Sequence, residues 1–88
     1  MTDIETIEDV YPYILENKKN ITFIRYDNTI KKVMVPNSLR KNELYSTANF
    51  YKLNRYADII LSYNGLTLNE DESSINDINA GADIYIIE

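Results

Sequence analysis

The stretch that decides the fold is Asp58-Ile-Ile-Leu-Ser-Tyr-Asn-Gly-Leu-Thr-Leu68, in the last third of the chain. Its first six residues predict a strand, and Asn64-Gly65 suits the left-handed backbone of a tight hairpin turn. Residues 66–68 then predict a short return strand. An acidic loop and a turn at Ala80-Gly81 follow, and residues 84–87 predict a closing strand.

A second hairpin is predicted nearer the N-terminus. Residues 21–26 are rich in β-branched and aromatic residues, which favour strands. Asp27-Asn28 suits a tight turn because both residues tolerate a positive φ. Residues 29–35 predict the return strand, and Pro36 ends it because proline cannot donate to a sheet ladder.

A helix is predicted between the two hairpins. Asn37 or Ser38 is the predicted cap, with the helix starting near Leu39 and ending near residues 53–54. One helical face is then formed by Leu44, Ala48 and Tyr51.

The residues ahead of the first hairpin have a different pattern. An apolar stripe at helical spacing is formed by Ile4, Ile7, Tyr11 and Ile14. Pro12 would break one continuous helix, so we expect two short helices that meet near it, or else partial disorder. We therefore divide the chain into an acidic N-terminal helical extension, residues 1–20, and a domain, residues 21–88.

The order β-β-α-β-β-β over residues 21–88 resembles the ubiquitin-like β-grasp fold, an α+β fold. From Ile21 to Leu68 the register with ubiquitin runs without a gap, with Gly65 at the matching turn. The resemblance implies inward core positions on the strands and the helix, which are Ile21, Phe23, Val33, Val35, Leu44, Ala48, Ile59, Leu61, Leu68, Ile78, Ile84 and Ile86. Lys31 departs from the pattern, since its position is usually apolar and inward.

The resemblance implies a protein that binds other proteins, with no cofactor and no metal. Ubiquitin-like modifiers end in a Gly-Gly tail, whereas this chain ends at Ile86-Ile87-Glu88. We therefore expect a non-conjugated interaction module or adaptor. The alternative is a modifier whose Gly-Gly tail is missing from this sequence.

The resemblance also implies where a partner would bind. The main recognition surface of ubiquitin falls here on Tyr26, Ser62, Tyr85 and Ile87. Strand alternation places Ile24 and Ile60 on the same solvent-side face. We expect a partner-binding patch there, or else a patch covered by a lid from the extension, with Ile4, Ile7, Tyr11 and Ile14 as the covering residues.

Charge is segregated along the chain, which has a net charge of −5. Residues 1–17 have five acidic and no basic side chains, residues 18–55 have all nine basic and two acidic, and residues 56–88 have seven acidic and no basic. Such polarity favours self-assembly unless folding mixes the blocks. PB1 domains, which share the β-grasp fold, assemble head-to-tail by pairing a basic first-strand residue with an acidic loop. The acidic loop here departs from the PB1 motif, but the same kind of assembly would pair three bases with four acids of a neighbouring copy: Arg25, Lys31 and Lys32 with Glu70, Asp71, Glu72 and Asp77.

Several function classes find little support. Histidine and cysteine are absent, so the usual general base and the usual zinc ligands are missing, and we expect no enzyme. The acidic loop lacks the ligand spacing of a calcium loop. Acidic flanks oppose nucleic-acid binding by the basic block. With no apolar run near ~20 residues and no signal peptide, we expect no membrane contact, an intracellular location in cytoplasm or nucleus, and a monomer or weak homo-oligomer.

Overall fold

The computed structural model describes residues 7–88, and its element order contains the predicted β-β-α-β-β-β series. The strands are β1 (Glu8–Asp9), β2 (Lys18–Ile24), β3 (Ile30–Pro36), β4 (Ile60–Tyr63), β5 (Leu66–Thr67) and β6 (Ala82–Ile87). One α-helix, α1 (Lys41–Asn49), follows β3, and a 3-10 turn, Ile75–Asp77, precedes β6. Within residues 7–88, no helix has the length and apolar character that crossing a membrane requires.

The strands form one mixed sheet in the order β1-β3-β2-β6-β4-β5. β2 and β6 lie next to each other in its middle and run parallel, while β3 and β4 pair with them antiparallel. Two tight turns contain the glycines that the sequence singled out: Gly65 and Gly81 both have a φ of 77°. Because β2 and β6 run parallel, their C-terminal ends lie at the same end of the sheet.

The core lies between α1 and one face of this sheet, the inner face. Inward side chains of the central strands, such as Phe23 and Ile84, are fully buried against Leu44 and Ala48 of the helix. The inward positions that the resemblance implied are all buried. Lys31 also points inward, and its ammonium lies 5.6 Å from the centre of the Tyr51 ring. A cation at this position is stabilised by an aromatic face instead of by apolar packing.

The helix is shorter than predicted at both ends. It begins at Lys41, with Arg40 as the N-cap, because the Glu43 carboxylate accepts a hydrogen bond from the Arg40 amide at 3.2 Å. The predicted caps Asn37 and Ser38 are wrong, since the chain at Leu39 bonds instead to Pro36 and Ile75. The helix ends at Asn49 and not near residues 53–54. The backbone amides of residues 53 and 54 instead donate hydrogen bonds to the side-chain carboxylate of Glu88.

The predicted helical extension is not shown. In the described part, residues 7–20, the chain contains the strand β1, a turn after Tyr11 and the start of β2, without a helix. β1 pairs parallel with the outer edge of β3, which satisfies backbone groups that a helix would have satisfied internally. β2 starts at Lys18, three residues before the predicted start of the domain at residue 21, and β1 belongs to the same sheet. The division of the chain at residue 20 stays a prediction.

Candidate functional site

The face of the sheet opposite the helix carries a continuous apolar surface. Ile30, Ile24 and Tyr85 are register partners across β3, β2 and β6, and Ser62 continues this row on β4. Ile87 and Ile60 form the neighbouring pair. Residues paired in this way point to the same face of a sheet. We call the apolar members the outer-face patch, which consists of Ile24, Ile30, Ile60, Tyr85 and Ile87.

The outer-face patch is open to solvent. Ile30 is 55% exposed, Tyr85 50%, Ile60 47% and Ile87 46%, while Ile24 is half-buried. Single exposed apolar side chains are common on proteins, but a contiguous group of them often marks a binding surface. Alternation along each strand produces the group, because the same strands bury their other side chains in the core.

The structure thus brings together four of the predicted partner-binding residues, Ile24, Ile60, Tyr85 and Ile87. Ser62 lies beside them in the same row, and Tyr26 is exposed just beyond the end of β2. Their use in binding stays a prediction. Ile30 was missed, although its place opposite Ile24 follows from counting the hairpin outward from its turn.

Among the described residues of the extension, Tyr11 lies away from the patch. The Tyr11 hydroxyl lies 2.9 Å from the Thr47 hydroxyl oxygen on α1, so this side chain packs on the helix side of the sheet. Tyr11 therefore does not lie over the patch, and a lid formed by the other predicted residues stays a prediction. Ile7 and Ile14 are exposed. Ile4 lies outside the described residues.

Charged and aromatic side chains fix the extension to the domain. Tyr51 donates a hydrogen bond to the Glu8 carboxylate at 2.8 Å, and Lys31 forms an ion pair with the same carboxylate at 3.5 Å. Lys18 forms a second ion pair, to Asp9, at 2.8 Å. The hydrogen bond from Tyr51 and the charge of Lys31 hold the pKa of Glu8 below its ordinary value. Burial and the bond to Glu8 raise the pKa of Tyr51 to about 12.

We expect Glu8→Gln to lower the pKa of Tyr51 part of the way back toward 10.0, its ordinary value. The substitution removes the negative charge that opposes phenolate formation, while burial, the larger cause, remains. The raised pKa means that protonated Tyr51 stabilises the fold below pH 10.0, and that this contribution is lost as the pH rises through about 12. Carbon-13 NMR of the tyrosine rings across the alkaline range measures this pKa.

The matched control is Glu72→Gln, which neutralises an exposed carboxylate in the acidic loop. This change should leave the titration of Tyr51 unaltered. If the pKa of Tyr51 were the same in the Glu8 variant as in the unmodified domain, the Glu8 carboxylate would not contribute to raising it.

The residues of the assembly alternative are partly used within the chain. Lys31 pairs with Glu8, and Asp77 pairs with Lys41 at 3.2 Å. The guanidinium Nε of Arg25 donates to the Thr29 hydroxyl. The other candidates remain near the surface, with Glu70, Asp71 and Glu72 exposed and Lys32 half-buried. Head-to-tail assembly stays a prediction, and in it Asp77 would have to exchange Lys41 for a base of the neighbouring copy.

The acidic loop is organised by bonds to the helix start. The carbonyls of Asp71 and Ser73 accept hydrogen bonds from the amides of Asn42 and Lys41, at 2.9 Å and 2.8 Å. The side-chain oxygen of Asp71 accepts bonds from the Ser73 amide and hydroxyl, which lower the pKa of Asp71. Over residues 7–88, no three acidic side chains come together in a group that could hold a metal ion.

A second feature lies at the edge where β2 and β6 end. The two carboxylate oxygens of Glu88 accept hydrogen bonds from the backbone amides of Leu53 and Asn54, at 2.8 Å and 2.7 Å. A groove of about 370 Å³ opens beside this contact, with Tyr26 and Ala57 in its walls. Sequence reasoning missed this contact, since nothing local to either segment indicates it.

Comparison with known proteins places the fold. No family model and no curated protein matches the chain. The ubiquitin-like domain of Arabidopsis thaliana protein At2g32350 is similar in structure, with a TM-score of 0.67 and 17% sequence identity, over 83% of this chain and 79% of that one. The N-terminal ubiquitin-like domain in the 4931431F19Rik protein has a TM-score of 0.65 and 8% identity, over 82% and 75% of the two chains. The chain therefore has the fold of a ubiquitin-like domain, as its sequence resemblance implied.

Proposed function

We propose that this domain is a non-catalytic, non-conjugated protein interaction module that docks a partner protein through the outer-face patch. The observation that carries the proposal is the row of half-exposed apolar side chains across four strands, with Tyr85 near its centre. Tyrosine is enriched among the residues that dominate binding energy, and anchors cluster near the middle of an interface.

The energetics of the patch favour a protein partner with an apolar surface of its own. Full burial of an isoleucine side chain contributes about 1.5–3 kcal/mol, so covering the remaining half of one contributes roughly 1 kcal/mol. The patch offers four isoleucines in this way, together with Tyr85. Its β-sheet backbone holds these side chains in fixed positions, which limits the entropy lost on binding.

A non-catalytic role agrees with the chemistry of the chain. Cysteine and histidine do not occur in the sequence, so the commonest nucleophile–base pairs cannot form. The two glycines of the sequence, Gly65 and Gly81, each occupy a turn. These observations support a module that acts by binding.

The test uses Ile60→Asp combined with Tyr85→Ala. Peptide ligands are first selected from a random library on the unmodified domain, and their affinities for both forms are then measured by calorimetry. We expect the selected ligands to be rich in apolar residues and to bind the variant at least about tenfold more weakly, since truncating an interface anchor costs 2 kcal/mol or more.

The matched control is Leu15→Asp combined with Tyr13→Ala, the same two kinds of change on side chains that are 95% and 94% exposed in the loop after β1. This control should bind as the unmodified domain does. Equal binding by the Ile60 and Tyr85 variant, with its fold intact by circular dichroism, would overturn the proposal. Sedimentation of the unmodified domain shows whether a second copy occupies the patch instead, in which case the patch variant would remain monomeric.

A further inference from the structure

The contact of Glu88 with the loop after the helix has the geometry of a carboxylate-binding site. Two successive backbone amides, those of Leu53 and Asn54, point at one carboxylate and each donates to a different oxygen. Successive N–H groups that converge in this way form an anion-binding concavity. Hydrogen bonds to an ionised acceptor are shorter and stronger than neutral ones, and those seen here are 2.8 Å and 2.7 Å long.

The loop that presents the two amides is held in place independently of Glu88. The Asn54 side chain accepts a hydrogen bond from the Tyr56 amide at 3.0 Å, and the Asn54 carbonyl accepts one from the Ala57 amide at 3.1 Å. Lys52 donates to the Ala57 carbonyl at 2.6 Å. These bonds close the loop on itself, so we expect the two amides to keep their direction when the carboxylate is removed.

Glu88 can leave this position at small cost to the sheet. The last paired residue of β6 is Ile87, opposite Ile60, and Glu88 comes directly after it. Moving the Glu88 side chain away therefore breaks two hydrogen bonds and no strand pairing. The two amides would then face the groove, whose other walls are Tyr26, Leu53 and Ala57 and include no acidic side chain.

The surroundings of the groove favour an acidic ligand with an apolar neighbour. Three basic residues, Arg25, Lys52 and Arg55, and two acidic residues, Asp27 and Asp58, are adjacent in sequence to residues of the groove wall, so bases outnumber acids by one there. Tyr26 and Leu53 supply apolar surface, with Tyr26 72% exposed. The groove also adjoins the outer-face patch, since Ile87 belongs to the patch and precedes Glu88.

We propose that the amides of Leu53 and Asn54 form a carboxylate-binding site, which Glu88 fills within the chain and which an acidic side chain of the docked partner takes over. The proposal rests on the proposed function, because the patch holds the rest of the partner. Glu88 is tethered beside the amides and so competes at a high effective concentration. A free carboxylate therefore displaces Glu88 only at high concentration, whereas a carboxylate on a partner already held by the patch gains the same advantage as Glu88.

The test removes the internal competitor and supplies a small probe. Glu88→Ala is titrated with butyrate, a carboxylate with a short apolar tail, and the amide resonances are followed by nitrogen-15 NMR. We expect saturable shifts of the Leu53 and Asn54 amides in this variant, and binding at least about tenfold weaker in the unmodified domain. Butyramide, which has the same shape and no charge, should shift neither amide.

Glu88→Gln is the second variant, because its side-chain oxygen retains one acceptor and so helps to hold the loop. Selective shifts with butyrate in either variant support the proposal. Equal shifts with butyramide, or no shift of the two amides in both variants, overturn it. Adding Ile60→Asp and Tyr85→Ala to Glu88→Ala should leave butyrate binding unchanged, so failure of the patch and failure of the carboxylate site are distinguished.

Discussion

Replacing Phe23 with alanine is expected to lower the free energy of unfolding by about 3–5 kcal/mol. Phe23 is fully buried in the middle of β2, and its ring lies 6.0 Å from that of Tyr51, centre to centre. Truncation removes apolar area and leaves a cavity that strands on both sides of β2 prevent from closing. For a domain with a total stability of about 5–15 kcal/mol, this loss moves a large part of the population toward the unfolded state. Urea unfolding followed by circular dichroism measures it.

Phe50→Ala is the control for Phe23→Ala, since it removes the same atoms from a side chain that is 85% exposed just after α1. Its expected effect is within about 0.5 kcal/mol, as for most surface substitutions. If the two variants unfolded at the same urea concentration, the assignment of Phe23 to the centre of the core would be wrong.

Tyr45→Phe is expected to lower the free energy of unfolding by about 2–4 kcal/mol, although it removes a single oxygen atom. The Tyr45 hydroxyl donates to the Leu68 carbonyl at 2.5 Å and accepts from the Leu61 amide at 3.2 Å, both in buried surroundings. It thereby bridges two backbone groups at the end of the β4–β5 hairpin. Without it, each buried group keeps its desolvation penalty of about 1–3 kcal/mol.

The comparison variant is Tyr56→Phe, which removes a hydroxyl from a ring that is exposed in the loop after the helix. We expect no measurable loss there, because water replaces the hydroxyl. Hydrogen exchange should also show faster exchange of the Leu61 amide in the Tyr45 variant. A Tyr45 variant as stable as the unmodified domain would mean that the neighbouring strands pair directly once the hydroxyl is gone.

The sequence was sufficient for the features that depend on local pattern. Alternation placed Phe23 and Val33 inward and Ile24 and Ile60 outward, since successive side chains of a strand point to opposite faces. Gly65 marked the hairpin turn because its φ of 77° is unfavourable for residues with a Cβ atom. Four members of the outer-face patch followed from the same alternation.

Features that depend on contacts between distant segments were not predictable. The stripe Ile7, Tyr11 and Ile14 has helical spacing, yet the nearby edge of β3 offered Glu8 and Asp9 backbone partners that local propensity cannot anticipate. The bond from Tyr45 to Leu68 spans 23 positions, and that from Asn54 to Glu88 spans 34. Side-chain bonds to a remote backbone leave no periodic signal in either segment, so the carboxylate site became visible only in three dimensions.

The two-residue strand β1 also limits aggregation through the edge of the sheet. β3 is seven residues long, and without β1 it would be the open edge of the sheet. An uncovered edge of that length is a template on which another chain can add its own strand, the first step toward amyloid-like polymers. Within residues 7–88, β1 pairs with Val33 and Met34 in the middle of β3 and so interrupts this edge. A chain shortened to the minimal β-β-α-β-β-β unit would lose Glu8 and Asp9 and with them this cover, so we expect it to be less soluble than the longer chain.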